Sequence, residues 1–221
     1  QNSLYQQLKS SALAFIVDAQ SNGMISTSTV LTQILRLQQI CSGFAKLDTG
    51  EEVQVPTNKL PELMSLLEET SGKVIIWANF TNDILSIQKE ISKKYGKDSV
   101  ELFYGGTPSE HRQTVVENFQ NPNHPLKFFV GQPRTGGYGL TLTEAKTVVY
   151  YSNGYDLEVR LQSEDRAHRI GQKNKVTYVD IVTEKTVDEK VLKALRSKIN
   201  ISTQVLACLL YTSPSPRDAT L

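Results

Sequence analysis

"KVIIWANFTNDILSIQKEISKKYGKDSVELFYGGTPSEHRQTVVENF", Lys73 to Phe119, decides the fold. It holds two short β-rich apolar runs, Lys73–Trp77 and Val100–Tyr104, and each leads into a helical pattern, Asn82–Tyr95 and Ser109–Phe119. Strands that alternate with helices and are apolar nearly throughout, rather than at every second residue, indicate a parallel sheet covered on both faces. Three further runs continue the series: "KFFV" (Lys127–Val130), "TVVYY" (Thr147–Tyr151) and "VTYVDIV" (Val176–Val182). In open sheets of this kind function collects in the loops beyond the carboxyl ends of the strands. The residues of interest are therefore those just past each run.

Upstream of Lys73 the pattern is helical. Leu4–Ala19 and Ser26–Phe44 both read as amphipathic helices, the second with Ser28 or Thr29 as a candidate N-cap and Gly43 as a stop. The polar stretch Lys46–Asn58 reads as a hairpin or loop, and Lys59–Thr70 as a helix with Leu60, Leu63, Leu66 and Leu67 on one face. This divides the chain into a helical segment, residues 1–56, an α/β unit, residues 57–207, and a tail, residues 208–221. Pro214 and Pro216 break any helix in the tail, which is expected to be non-native or disordered. Opening on Gln1, the chain reads as part of a longer protein.

Composition narrows the function classes. Across 221 residues, 24 Lys+Arg balance 23 Asp+Glu for a net charge of +1, so no global basic field announces nucleic acid and any phosphate site must be a local patch. The two cysteines, Cys41 and Cys208, lie far apart and outside metal-ligand spacing, which argues against zinc and against a disulfide framework. A reducing, cytoplasmic setting is expected. No run reaches the roughly 18 apolar residues of a membrane span. His111 and His124 read as surface residues, and no metal site is implied.

Two stretches carry chemistry. Directly after "KFFV" comes "GQPRTGGYGLTLTEA", Gly131–Ala145, in which Gly136, Gly137 and Gly139 permit close backbone approach and expose N–H groups suited to phosphate oxygens, with Thr135, Thr141 and Thr143 adding hydroxyls. Alone it reads equally as a tight turn with packing threonines. The second stretch, "LQSEDRAHRIGQ", Leu161–Gln172, spaces Gln162, Asp165, Arg166 and Arg169 at i, i+3, i+4 and i+7, one side of a helix. Two guanidiniums on one face make an anion clamp, with Asp165 able to orient one of them. The plainer reading is a solvated face with an Asp165/Arg169 pair.

Together the motifs resemble the second motor lobe of the SWI/SNF-like DNA translocases, a branch of the superfamily-two helicases. "KVIIWANFTNDILSIQKEI" is similar to the first motif of that lobe, and "YGGTPSEHRQTVVENFQ" to the next, with Gly105, Arg112 and Phe119 in place. "RTGGYGLTLTEAKTVVYY" resembles the fifth motif and "QSEDRAHRIGQ" the sixth, while "LTQILRLQQIC" resembles the helical stretch before the lobe. The resemblance spans roughly Leu31 to Leu195. It implies a RecA-like α/β lobe preceded by a helical insertion segment.

The resemblance also implies roles. Arg166 and Arg169 would reach the ATP phosphates, with Arg169 as arginine finger and Gln162 and Asp165 nearby. Gly139 would couple nucleotide to track. Arg134, Thr135, Gly136 and Gly137, with Gly106 and Thr107 of "YGGT" and the start of the helix after it, would hold the backbone of double-stranded DNA without reading sequence. Lys173 and Lys175 are further basic residues nearby, read first as a solvated loop. Gln132 and Pro133 replace a usual small hydroxyl pair, and Tyr155, Asp156 and Leu157 replace a usual Trp-Asn-Pro, a pattern suggesting a bacterial or phage branch.

An absence defines the rest. No Gly-x-x-x-x-Gly-Lys-[Ser/Thr] loop occurs, since the pairs Gly72/Lys73 and Gly96/Lys97 precede Val and Asp. Asp188/Glu189, in a helical pattern, reads as surface charge rather than a magnesium site. ATP and Mg2+ would thus be held mainly by a first RecA-like lobe of the same polypeptide, and this chain alone should be inactive. The alternatives are a non-catalytic DNA- or protein-binding lobe and a related helicase that unwinds duplexes. His168 and Trp77 read as structural, and Tyr138 and Tyr155 as packing before base stacking.

Overall fold

The computed structural model describes residues 3, 5–7, 9–10, 27–46, 50–135, 139–169, 172 and 175–197. Helix α1 (Thr27–Ser42) leads into an antiparallel hairpin, β1 (Phe44–Lys46) and β2 (Glu52–Gln54), then α2 (Lys59–Glu69). The α/β series follows: β3 (Lys73–Trp77), α3 (Thr81–Tyr95), β4 (Val100–Phe103), α4 (Ser109–Gln120), β5 (Phe128–Gly131), β6 (Ala145–Tyr150), α5 (Leu157–Asp165), β7 (Thr177–Asp180) and α6 (Val187–Arg196). All five apolar runs are strands. They form one sheet in the order β4-β5-β3-β6-β7, and every pairing is parallel.

The apolar character of the strands follows from burial on both faces. Every residue of β3 and β5 is buried. Val74, Ile76, Phe128, Val130 and Val149 face Leu63 and Leu67 of α2 and Ile84, Ile87 and Ile91 of α3. Ile75, Trp77, Phe129, Val148 and Tyr150 face Val115 and Phe119 of α4, with Ala167 beside them. Phe129 sits at the centre of the second layer, its ring 5.3 Å from Phe103, 5.5 Å from Phe119 and 5.8 Å from Trp77. A side chain buried this fully contributes about 1.5–3 kcal/mol. Of the leucines expected on one face of α2, Leu63 and Leu67 are fully buried and Leu60 and Leu66 pack against the same cluster.

The upstream helix joins this body through its own apolar layer, in which Ile34, Leu37, Ile40 and Cys41 meet Val187, Val191, Ala194 and Leu195 of α6. Helix α1 begins at Thr27, so Ser28 and Thr29 lie inside its first turn rather than capping it. It stops at Gly43, whose φ of +99° and the 2.5 Å between an added Cβ and Thr57 Cγ2 both require glycine. The pattern Leu4–Ala19 falls largely outside the described residues, as do Cys208 and the 208–221 tail. Tyr5 within it is buried, and its hydroxyl accepts the Val187 N–H at 2.7 Å.

One expectation is corrected. Asp188 is not surface charge: its carboxylate lies 2.6 Å from Lys59 Nζ, with the two side chains 10% and 4% exposed. The first turn of α6 packs over the first residue of α2, which closes the pair off from water.

Candidate functional site

Helix α5 and the turn after it carry the arginines. Asp156 caps the helix, accepting the Glu158 and Val159 N–H groups at 3.1 and 3.3 Å. The helix ends at Asp165, one turn earlier than the spacing of its polar residues suggests. The cause is tertiary: the Arg166 carbonyl accepts the Leu142 N–H at 2.9 Å, and Ala167 is drawn fully into the core. Gln162, Asp165, Arg166 and Arg169 therefore do not share one helical face. Gln162 is exposed and donates to Glu158 Oε1 at 2.9 Å. Asp165 is exposed too, and no Asp165–Arg169 ion pair forms among the described residues.

The two arginines diverge. Arg166 turns inward and is 5% exposed, its guanidinium 5.5 Å from the Trp77 ring. Its Nε donates to Gln162 O and its Nη2 to Pro133 O, both at 3.3 Å, while Nη1 is buried with no partner among the described residues. Burial, and then the neighbouring Arg169 charge, hold its pKa below the ordinary guanidinium value. A buried donor left unmade costs about 1–3 kcal/mol, and an anionic oxygen is the acceptor a guanidinium prefers. Arg169 instead turns outward, and its Nη1 donates to Gly139 O at 2.7 Å and Thr141 Oγ1 at 3.2 Å. The exposed arginine thus holds the far end of the glycine loop. Gly139 sits at φ +45°, a left-handed conformation that disfavours side chains. Gly136, Gly137 and Tyr138 lie outside the described residues.

The remaining candidates line the carboxyl edge of the sheet. Arg134, after β5, is exposed and lies 3.4 Å from Asp156 Oδ2 after β6, an open pair worth at most about 1 kcal/mol. Thr135 folds back on its own turn, with its N–H on Gln132 O and its hydroxyl on Gln132 Oε1, both at 3.2 Å. After β4, Gly106 is exposed and backs onto the Tyr104 ring, 2.7 Å from where a Cβ would stand. Thr107 is buried, and its hydroxyl accepts the Tyr104 N–H at 3.1 Å and donates to Leu102 O at 2.9 Å. Arg112 braces the same turn through Thr107 O and Tyr104 O. With the Thr107 hydroxyl engaged internally, the groups this turn offers outward are the exposed backbone of Gly105 and Gly106.

The other singled-out residues lie in varied settings. Trp77 is fully buried, and Tyr155 packs beside the α1–α6 layer with its hydroxyl buried. His168 is exposed and contributes a backbone N–H to Glu164 O. The His111 ring lies 3.4 Å from Glu101 Oε2, and His124 Nδ1 accepts the Leu126 N–H. Lys175 is exposed, and Lys173 lies outside the described residues. Among the described residues no group of three His, Cys, Asp or Glu could hold a metal ion, and no helix is long and apolar enough to cross a membrane.

Two residues escaped the sequence reading. Gln172, the last residue of the arginine stretch, donates through Nε2 to Thr143 O at 2.8 Å and Ala167 O at 2.9 Å, clasping the glycine loop to the arginine turn. Nothing in its sequence context signals this. Arg160 anchors α5 to the sheet, and its only sequence signal is the i, i+4 spacing to Glu164.

Comparison with known proteins bears on the family and the fold. The chain is 29% identical over 198 residues to the human SWI/SNF-related matrix-associated actin-dependent regulator of chromatin subfamily A member 1, covering 84% of this chain and 19% of that protein. It is 28% identical over 232 residues to the transcription regulatory protein SNF2 of Saccharomyces cerevisiae, covering 99% of this chain and 14% of that one. The chain thus spans less than a fifth of either relative's length. The Sulfolobus solfataricus SWI2/SNF2 ATPase core in complex with dsDNA superposes with a TM-score of 0.66 at 24% identity, over 93% of this chain and 46% of that one, which establishes the RecA-like fold. The helicase conserved C-terminal domain profile matches residues 57–171, and because this span exceeds half of the chain, the protein belongs to the helicase conserved C-terminal domain family.

Proposed function

We propose that the chain is the second motor lobe of a DNA-dependent ATPase of the SWI/SNF-like type, working against a first RecA-like lobe of the same polypeptide in the cytoplasm of a bacterial or phage-infected cell. The observation that carries this reading is the Arg169–Gly139 hydrogen bond of 2.7 Å, which ties the exposed arginine to the glycine loop. Nucleotide at the arginines would compete for that guanidinium. Its departure from Gly139 and Thr141 would free the loop to change its hold on a DNA strand. The buried Nη1 of Arg166, without an acceptor among the described residues, supports the same reading, since a phosphate oxygen is the acceptor it would take once uncovered.

In the intact enzyme Arg166 and Arg169 neutralise charge developing on the γ-phosphoryl group, the largest contribution a protein makes to a transfer with so little covalent chemistry of its own. Gln162 and Asp165, both exposed, would contact the nucleotide from the same helix. Arg134, Thr135, Gly136 and Gly137, together with the exposed backbone at Gly105 and Gly106 on the turn that Thr107 holds, grip phosphates of double-stranded DNA at the strand ends. Mg2+ would be held mainly by the first lobe and, when bound, would supply charge neutralisation at the phosphates. Residues 1–56 serve as the helical connection between lobes and residues 57–207 as the lobe proper. By itself the chain hydrolyses essentially no ATP.

The test is ATP hydrolysis by the complete polypeptide, with and without double-stranded DNA. Arg169→Ala is expected to lower the DNA-stimulated rate by about 10³- to 10⁵-fold. An undiminished rate would remove the finger assignment. Failure of the intact polypeptide to hydrolyse ATP at all would favour a lobe that only binds DNA or protein.

A further inference from the structure

Helix α5 has an apolar hold on the body of the protein at its first residue, Leu157, which packs beside the α1–α6 layer, and little beyond it. Its only buried residue is Ser163, while Leu161 projects into solvent. A helix of nine residues is too short to persist without tertiary support. Yet the arginine turn follows it directly, so its placement decides where Arg166 and Arg169 stand. Polar contacts supply the rest of the support, and they converge on Arg160.

The Arg160 guanidinium lies flat on the Tyr150 ring, 3.3 Å from its centroid. Nη1 donates to Asp180 Oδ1 at 2.6 Å and Asn153 Oδ1 at 2.7 Å, Nη2 to Asp180 Oδ2 at 3.3 Å, and Nε to Glu164 Oε1 at 2.6 Å. Arg160 and Asp180 are 11% and 7% exposed, so water competes little for either. Among the described residues Arg196, exposed and 3.7 Å away, is a second cation near Asp180. Around this fork Ser163 Oγ meets Tyr150 Oη at 2.6 Å, and Tyr178 Oη donates to Glu164 O at 3.1 Å. One side chain thereby joins the end of β6, the end of β7 and both turns of the helix.

The geometry points to Arg160 as the positioning residue of the arginine turn: through Asp180, Asn153 and Tyr150 it fixes the pose of α5, and hence the reach of Arg166 and Arg169 toward phosphate. This assignment rests on the motor reading for its consequence, but not for its geometry. Lysine does not substitute, because a single ammonium cannot serve Asp180 and Glu164 in fixed directions or lie flat on the tyrosine ring. Asp180→Asn keeps the shape and one acceptor while removing the charge.

Two measurements on the complete polypeptide test it, using Arg160→Leu, Arg160→Lys and Asp180→Asn beside Arg169→Ala. Amide hydrogen exchange is expected to rise roughly 10-fold in peptides covering 161–169, with β3 and β5 unchanged. DNA-stimulated kcat is expected to fall by up to about 10²-fold at unchanged KM for ATP, the size of effect that a displacement near 1 Å produces. A purely structural role would lower Tm and leave kcat intact well below Tm. Should Arg160→Leu fail to fold, the two milder variants carry the test, and exchange and kcat both within twofold of the parent overturn the assignment. If Arg169→Ala keeps full hydrolysis, only the finger assignment fails; if the parent polypeptide hydrolyses no ATP, the motor reading fails, and the exchange pattern alone decides whether Arg160 positions the turn.

Discussion

Replacing Lys59 with methionine removes one half of a buried ion pair and leaves the other half in place. Lys59 Nζ lies 2.6 Å from Asp188 Oδ2 and donates to Tyr151 O at 3.2 Å, and the pair is 4% and 10% exposed. Without the ammonium, Asp188 keeps only the Thr183 N–H at 3.3 Å among the contacts that face it from the preceding loop. Asp83, a second buried carboxyl, also loses a positive neighbour. Removing one partner of such a pair costs about 3–5 kcal/mol, because the surviving charge stays desolvated. For a chain of this size about 1 kcal/mol moves Tm by roughly 2–4 °C, so Lys59→Met should lower Tm by roughly 6–20 °C. Urea unfolding, followed by fluorescence of the single tryptophan, Trp77, reads the loss directly. The double variant Lys59→Met/Asp188→Leu should recover most of it, since an apolar pair of similar volume is often as stable as a buried ion pair. A loss under about 1 kcal/mol, or a double variant less stable than Lys59→Met, would refute the reasoning.

Two further outcomes follow from single residues. Burial pushes the Asp83 carboxyl up from 3.8 to about 7, against the Ser152 hydroxyl bond, the Lys59 charge and Ser42, and with Asp188 adding to the rise. The folded chain therefore keeps a proton that the unfolded chain has released, so stability falls as pH climbs from about 4 to about 7. Asp83→Asn should flatten that slope in urea midpoints measured across the window, and an unchanged slope would count against the buried acid as its source. Gly131→Ala places a Cβ 2.6 Å from Phe103 O and 3.1 Å from the Trp77 ring, where β4 and β5 close together. It should cost about 1–3 kcal/mol in chemical denaturation, and a neutral result would mean the strand ends separate freely.

The α/β character, all five strands and the helices between them were legible in the residue pattern, because burial on both faces makes a strand apolar throughout and helical burial repeats at its own period. These are local properties. The two arginines and the glycines of the loop stood out by residue type alone, arginine for its permanent charge and glycine for its backbone freedom. Strand order was not legible, since β3 would read the same beside any neighbour. The stop of α5 at Asp165 was hidden too, because its cause is the Leu142 N–H reaching the Arg166 carbonyl from another segment. The same holds for the inward turn of Arg166 to Pro133, the burial of Asp188 against Lys59, and the grips of Arg160 and Gln172. Each of these depends on partners brought close only when the sheet assembles. A polar side chain reads as solvated until the fold removes its water, and only the tertiary structure shows what replaces that water.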